Sequence, residues 1–111
     1  MVEIGIGRRT DMAIALSTAG VEVTATDITR QWVPQGIEFF IDDLTDPTLS
    51  RYTGAELVYA RRLPEELHRP AATLARQCDT DLYFTTLGFE QPIVPVSRIT
   101  TPESTWYQIR A

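Results

Sequence analysis

The sequence predicts an α/β chain whose strands form a doubly wound parallel sheet. Three observations carry that prediction. Short apolar or alternating runs are interleaved with helical and loop stretches along the 111 residues, the pattern of parallel strands joined by crossovers. The first run ends at Gly5 and Gly7, with a helix-like pattern behind them. Acids stand at the ends of the next two runs, Asp27 first and then Asp42 and Asp43. The length implies one domain, residues 1–111, and a chain of this size can bury a core without disulfides.

Each element has its own local reason. Residues 2–6 are apolar apart from Glu3 and form the first strand. Residues 11–19 follow with Met12, Ala13, Leu16 and Ala19 at helical spacing, with Thr10 as the expected cap and Gly20 at the left-handed position after the end. Residues 21–27 alternate Val21, Val23 and Ala25 and form the second strand. Residues 29–32 are expected to make one helical turn before Pro34, and residues 37–41 to form the third strand. Residues 46–52 read as a loop or one short turn, and residues 56–60 as the fourth strand. Pro64 is placed to open a helix, which Pro70 divides, leaving residues 70–78 as its longer part. Residues 81–86 form the fifth strand, residues 87–101 a proline-rich loop, and residues 105–110 a last strand. Right-handed crossovers give the order 3-2-1-4-5, with the last strand entering antiparallel at the edge beside strand 5.

Net charge is −5, which disfavours a nucleic-acid partner. All ten basic residues are arginine, and lysine and asparagine are absent. GC-rich codon usage explains this blandly; a halophilic source explains it together with the acidic balance. No apolar run approaches the roughly 20 residues of a membrane span, and no signal-peptide pattern opens the chain, so a cytoplasmic setting is expected. Cys78 is the only cysteine and His68 the only histidine, so neither a disulfide nor a soft-metal site is expected.

Ligands of such sheets bind at the carboxyl ends of the strands, where the order reverses. Gly5 and Gly7 lie there, and the helix behind them points its first amides at the same spot. A dinucleotide site wants Gly-x-Gly-x-x-Gly, but Thr10 holds the third position and an acid, Glu3, stands where an apolar residue is usual. The run Glu3, Gly5, Gly7 resembles instead the first motif of S-adenosylmethionine-dependent methyltransferases, acid-x-Gly-x-Gly, with Arg9 where a third glycine often stands. That resemblance implies S-adenosylmethionine as cofactor, with Glu3 serving its methionine amine. It implies an acid after strand 2 for the ribose hydroxyls, which Asp27 fits, because two carboxylate oxygens accept from two hydroxyls at once. Ile28 would then pack on the adenine. An acid after strand 3 would accept from the adenine amine, best matched by Asp43, with Asp42 as its rival.

A closer resemblance covers most of the chain and fades after Pro92. The segments "VEIGIGRRTD", "VTATDI", "DDLTDP", "ELVYARRLPEEL" and "DLYFTTLG" resemble, in order, those of the small archaeal uncharacterised protein family 0146. Membership implies a minimal methyltransferase-like Rossmann fold and an archaeal source, and no reaction. The wider methyltransferase resemblance implies a helix ahead of strand 1. With only two residues before Glu3, either part of the sheet is uncovered or the true start lies upstream. A complete substrate pocket would also need a protein partner or a homodimer.

The first functional expectation is therefore a minimal domain binding S-adenosylmethionine, with no catalytic residue assigned. The second keeps the fold but works as a non-catalytic subunit or interaction module. A third binds NAD(P) or another nucleotide, using Arg8 and Arg9 for phosphate. Tyr59, Arg61 and Arg62 could meet an anionic substrate, against the simpler expectation of a loop with solvated arginines. Asp42, Asp43 and Asp46 lack the spacing of an EF-hand loop and read as a strand-end turn rather than a Mg²⁺ site. His68 is expected on the surface, Cys78 as a small buried or half-buried residue, and Trp32 and Trp106 in packing, Trp106 with the further option of a dimer contact on an edge strand.

Overall fold

The computed structural model describes residues 1–111. Five parallel strands come first: β1 Val2–Ile4, β2 Thr24–Asp27, β3 Glu38–Ile41, β4 Val58–Leu63 and β5 Leu82–Thr86. Two more follow, β6 Ser97–Thr100 and β7 Thr105–Ile109, and the sheet order is β3-β2-β1-β4-β5-β7-β6. The doubly wound order 3-2-1-4-5 is as the sequence predicts, and β7 runs antiparallel to β5. The edge differs. β6 lies inside the segment read as loop and pairs antiparallel with the outer side of β7, so β7 is interior. The pattern of β6 hides it: Arg98, Ile99 and Thr100 are exposed, so no inward alternation marks the run.

Strand alternation sorts the side chains between two faces. Val2, Ile4, Val58, Ala60, Leu82 and Phe84 join the larger core with helix α2, His68–Cys78. Ala71, Ala72, Leu74, Ala75 and Cys78 form the buried stripe of α2, and its small residues let the helix lie close to the sheet. Pro70 does not divide this helix. It sits in the first turn, where a missing amide is tolerated, and a separate 3-10 turn, Glu65–Leu67, follows Pro64.

The opposite face carries helix α1, Asp11–Thr18, over a smaller cluster of Ile6, Ala13, Val23, Ala25 and Ile37. Thr10 makes no side-chain cap, and residues 29–32 form no helical turn. Eight residues of helix cannot cover this whole face. Beyond β4 it stays open as an apolar groove of about 280 Å³, lined by Met12, Leu16, Tyr59, Tyr83, Ile99 and Trp106 among others. Trp106 stacks edge-on to Tyr59 with ring centroids 6.4 Å apart. Trp106 is thus on an interior strand rather than an edge, and Trp32 is 73% exposed rather than packed in a core.

His68 is fully buried, against the surface position expected. Its Glu and Arg neighbours in sequence suggested solvent, but the start of α2 turns this one position onto the sheet. Its ring lies 4.8 Å from that of Phe84. Nδ1 accepts from the Ile93 amide at 3.3 Å, so Nε2 carries the proton and donates to the Leu63 carbonyl at 3.0 Å. His68 thereby fastens the β5–β6 connection to the core.

Candidate functional site

The glycine turn after β1 is held by its neighbour. The amides of Gly5 and Ile6 both donate to the Thr26 carbonyl of β2, at 2.8 and 3.2 Å. Gly5 and Gly7 have φ of +67° and +53°, a region that L side chains enter at a cost of about 1–2 kcal/mol. A Cβ at either would meet nothing within 4 Å. Glycine is needed here for the backbone path, and the space over the turn is open.

Asp27 ends β2 and closes the turn. Its Oδ2 accepts from the Gly7 amide at 2.9 Å and its Oδ1 from the Thr29 amide at 3.2 Å. Each oxygen keeps a further lone pair. Beside it lies a cavity of about 130 Å³, lined by Ile4, Gly5, Thr26, Asp27, Ile28, Asp42, Asp43, Leu44, Tyr52 and Leu67. Gly5, Asp27, Ile28 and Asp43 are thus brought to one hollow, although they lie in three separate segments of the chain. Larger hollows lie elsewhere: about 570 Å³ beside α2, about 530 Å³ at the amino ends of the strands, about 460 Å³ around Trp32 and Phe39, and the 280 Å³ apolar groove.

The two acids after β3 differ in what they have left to offer. Asp42 accepts from the Tyr52 hydroxyl at 2.6 Å and from the Thr48 amide with both oxygens. Burial and this contact push the Tyr52 phenol far above its usual range. Asp43 accepts from the side chain and amide of Thr45 through Oδ1 alone, at 2.7 and 2.9 Å. Those bonds hold its carboxyl below the usual value, and Oδ2 stays free for an outside donor. Ile28 is 66% exposed, so an apolar side chain stands at the rim with no partner of its own.

Neither Gly7 nor Glu3 lines the cavity; Gly7 meets it only through its amide hydrogen bond to Asp27, and Glu3 lies on the far side of the sheet. Glu3 is 1% exposed and points to the face of α1, where Tyr59 is its register partner on β4. The Tyr59 hydroxyl donates to Glu3 Oε1 at 2.6 Å, and Arg61 stands 3.8 Å from Oε2. Burial raises the Glu3 carboxyl above its ordinary value, with Tyr59 and Arg61 opposing the rise. Burial and the hydrogen bond to Glu3 push the Tyr59 phenol up as well. The methionine-amine role implied for Glu3 therefore meets a carboxylate that already has partners.

Arg61 is not the solvated loop residue expected. It belongs to β4, its side chain is 14% exposed, and it forks onto Asp11 at 2.9 and 3.1 Å. Its Nη2 also donates to the Arg9 carbonyl at 3.0 Å, while its buried Nε has no acceptor. Its hydrogen bond holds the Asp11 carboxyl below the usual range. Of the residues that complete this arrangement, Tyr52 carried no signal of spacing. The pairing of Glu3 with Tyr59 was open to inference once strands 1 and 4 were taken as neighbours.

The fold and the hollow together define a methyltransferase-like Rossmann chain with a small, acid-rimmed cavity at the carboxyl ends of β1, β2 and β3. The chain belongs to the uncharacterised protein family UPF0146, whose profile matches residues 1–111. It is 46% identical over 104 residues to UPF0146 protein OE_4661R of Halobacterium salinarum, covering 94% of this chain and 81% of that one. It is 42% identical over 81 residues to an Archaeoglobus fulgidus UPF0146 protein, covering 73% and 62%. UPF0146 protein PH0209 of Pyrococcus horikoshii is 33% identical over 106 residues, covering 92% and 74%. Among solved structures, the N-terminal domain of EvdMO1 with SAH bound is similar at a TM-score of 0.54 and 14% identity, over 98% of this chain and 58% of that one. At that identity the likeness shows the fold; the chain spans little more than half of the neighbour. No helix is long and apolar enough to cross a membrane.

Proposed function

We propose that this chain binds S-adenosylmethionine or S-adenosylhomocysteine in the hollow beside Asp27. One observation carries the reading: the 130 Å³ cavity gathers Gly5 of the glycine turn, a ribose-type acid, an apolar rim residue and an acid with a free oxygen. Asp27 would accept from the ribose hydroxyls, Ile28 would cover one adenine face, and Asp43 would accept from the adenine amine. Gly5 and Gly7 would leave the path over the turn open, and Glu3 would act from behind it through Tyr59 and Arg61. When bound, S-adenosylmethionine supplies an activated methyl group. The SAH held by the EvdMO1 domain supports this choice of ligand. The acidic, lysine-free composition and the Halobacterium relative support a halophilic source.

The structure argues against a phosphate in the same turn. Asp27 already places a carboxylate 2.9 Å from the Gly7 amide, where a pyrophosphate would seek its donor. A nucleoside end fits there without bringing two anions together. Thermal-shift competition tests the choice: S-adenosylhomocysteine should raise the melting temperature, and NADP should neither raise it nor compete. Stabilisation by NADP alone would replace this reading with the nucleotide one. No response to either would leave the interaction-module reading.

A further inference from the structure

Helix α1 is apolar on more than its inner side. Its residues from Met12 to Leu16 are all apolar, and its one charged residue, Asp11, is already forked by Arg61. A helix that is apolar all round is ordinarily a buried one. Here Ala13 alone is buried, Ala15 is exposed and Ile14 is 42% exposed. The helix stands on the sheet as an uncovered apolar ridge.

The apolar groove lies directly beside that ridge. Met12 and Leu16 form its helix wall, and Tyr59, Tyr83, Trp106 and Ile99 line it from β4, β5, β7 and β6 in turn. The register sets Tyr59 beside Tyr83 and Ile99 beside Trp106, so the floor is continuous across four strands. Every lining residue is hydrophobic. The Tyr59 hydroxyl is taken by Glu3, and the Tyr83 hydroxyl is engaged by the Gln108 side chain at 3.1 Å. One face of the sheet thus carries a helix over one half and an open apolar floor over the other.

We propose that this face is the contact of a symmetric dimer, in which α1 of each copy lies over the open strands of the other. The ridge and the groove sit side by side on one surface. A two-fold axis between them pairs each with its complement, as an isologous contact requires. The partner's helix then supplies the missing half of the helix layer. Ala15 and Thr18, exposed on the ridge, are small enough for a close approach to the floor. Charge also selects a second copy of this chain. Two chains of net charge −5 repel one another over most of their surfaces, yet the ridge and groove hold no charge beyond the Asp11–Arg61 pair. Apolar surface left in water by the single chain is removed from it on both sides of the contact.

Sedimentation velocity of the whole chain over a concentration series, in low and in molar salt, tests the contact. Wild type should form a dimer, tighter in molar salt, where repulsion between two acidic copies is screened. Ala15→Arg and Ile99→Arg place a charge at exposed positions of the ridge and the groove. Each should weaken the dimer at least ~10-fold with an unchanged circular dichroism spectrum. Both bring the net charge closer to zero, so general repulsion cannot cause the loss. Phe89→Arg makes the same charge change at a fully exposed side chain in the β5–β6 connection and should leave the dimer intact. In Trp32→Phe, Trp106 is the sole tryptophan, and its quenching by acrylamide should fall as the dimer forms. A chain monomeric throughout both series would overturn the proposal. So would a dimer that either Ala15→Arg or Ile99→Arg leaves intact, or Trp106 quenching that does not change with concentration.

Discussion

Changing Tyr59 to phenylalanine removes a single oxygen and leaves the ring against Trp106. That oxygen lies 2.6 Å from Oε1 of a carboxylate that is almost wholly buried. Hydrogen bonds to charged groups contribute about 1.5–3 kcal/mol, so Tyr59→Phe should lower stability by about 2 kcal/mol near neutral pH. Urea denaturation of four chains isolates the cause: wild type, Tyr59→Phe, Glu3→Gln and the double variant. In the Glu3→Gln background the hydroxyl donates to a neutral amide oxygen, so its removal should cost only about 1 kcal/mol. The pH dependence has a definite sign. Burial raises the folded-state Glu3 carboxyl above its ordinary 4.5, so in that window the folded chain binds more protons than the unfolded one. Stability from this group therefore falls as pH rises from 4.5 through the raised value, and is flat above it. Glu3→Gln should abolish that decline, and Tyr59→Phe should extend it to higher pH. A cost below about 0.5 kcal/mol at neutral pH, or an equal cost in both backgrounds, would refute the reasoning, since a buried charged bond sits at the top of the usual range.

His68→Phe keeps most of the buried volume but leaves the Leu63 carbonyl and the Ile93 amide without their partner. Stability should drop by about 2–4 kcal/mol, and hydrogen exchange should show the Ile93 amide losing protection before the sheet does. Asp43 behaves oppositely to Glu3: its carboxyl is held below its ordinary 3.8, so its contribution is present above that value and lost as pH falls beneath it. Asp43→Asn should accordingly reduce the loss of stability below that pH in an acid titration followed by circular dichroism. Gly7→Ala should cost about 1–2 kcal/mol from φ alone, read as a lower melting temperature with the fold retained, because no atom opposes the new methyl.

The sheet was legible because its strands are short apolar runs with turn residues between them, and parallel order follows from crossover handedness. β6 was not, because three of its four residues face solvent and a proline-rich stretch precedes it. The cavity rim at Gly5, Asp27, Ile28 and Asp43 could be placed from strand ends alone, since those positions converge in any sheet of this order. The choice between Asp42 and Asp43 could not, because it turns on Tyr52, a contact made across ten residues of irregular chain. Arg61 and His68 were misplaced for one reason. Flanking charges in sequence suggest solvent, while a bulge and a helix start each turn one side chain inward.

Calorimetric titration with S-adenosylhomocysteine, in low and in molar salt, bears most directly on the hollow beside Asp27. Wild type should bind at micromolar affinity in at least one of the two conditions. Asp27→Ala, with an unchanged circular dichroism spectrum, should lose that binding. Absence of heat in both salts from a folded wild-type chain, or equal affinity in Asp27→Ala, would contradict the account.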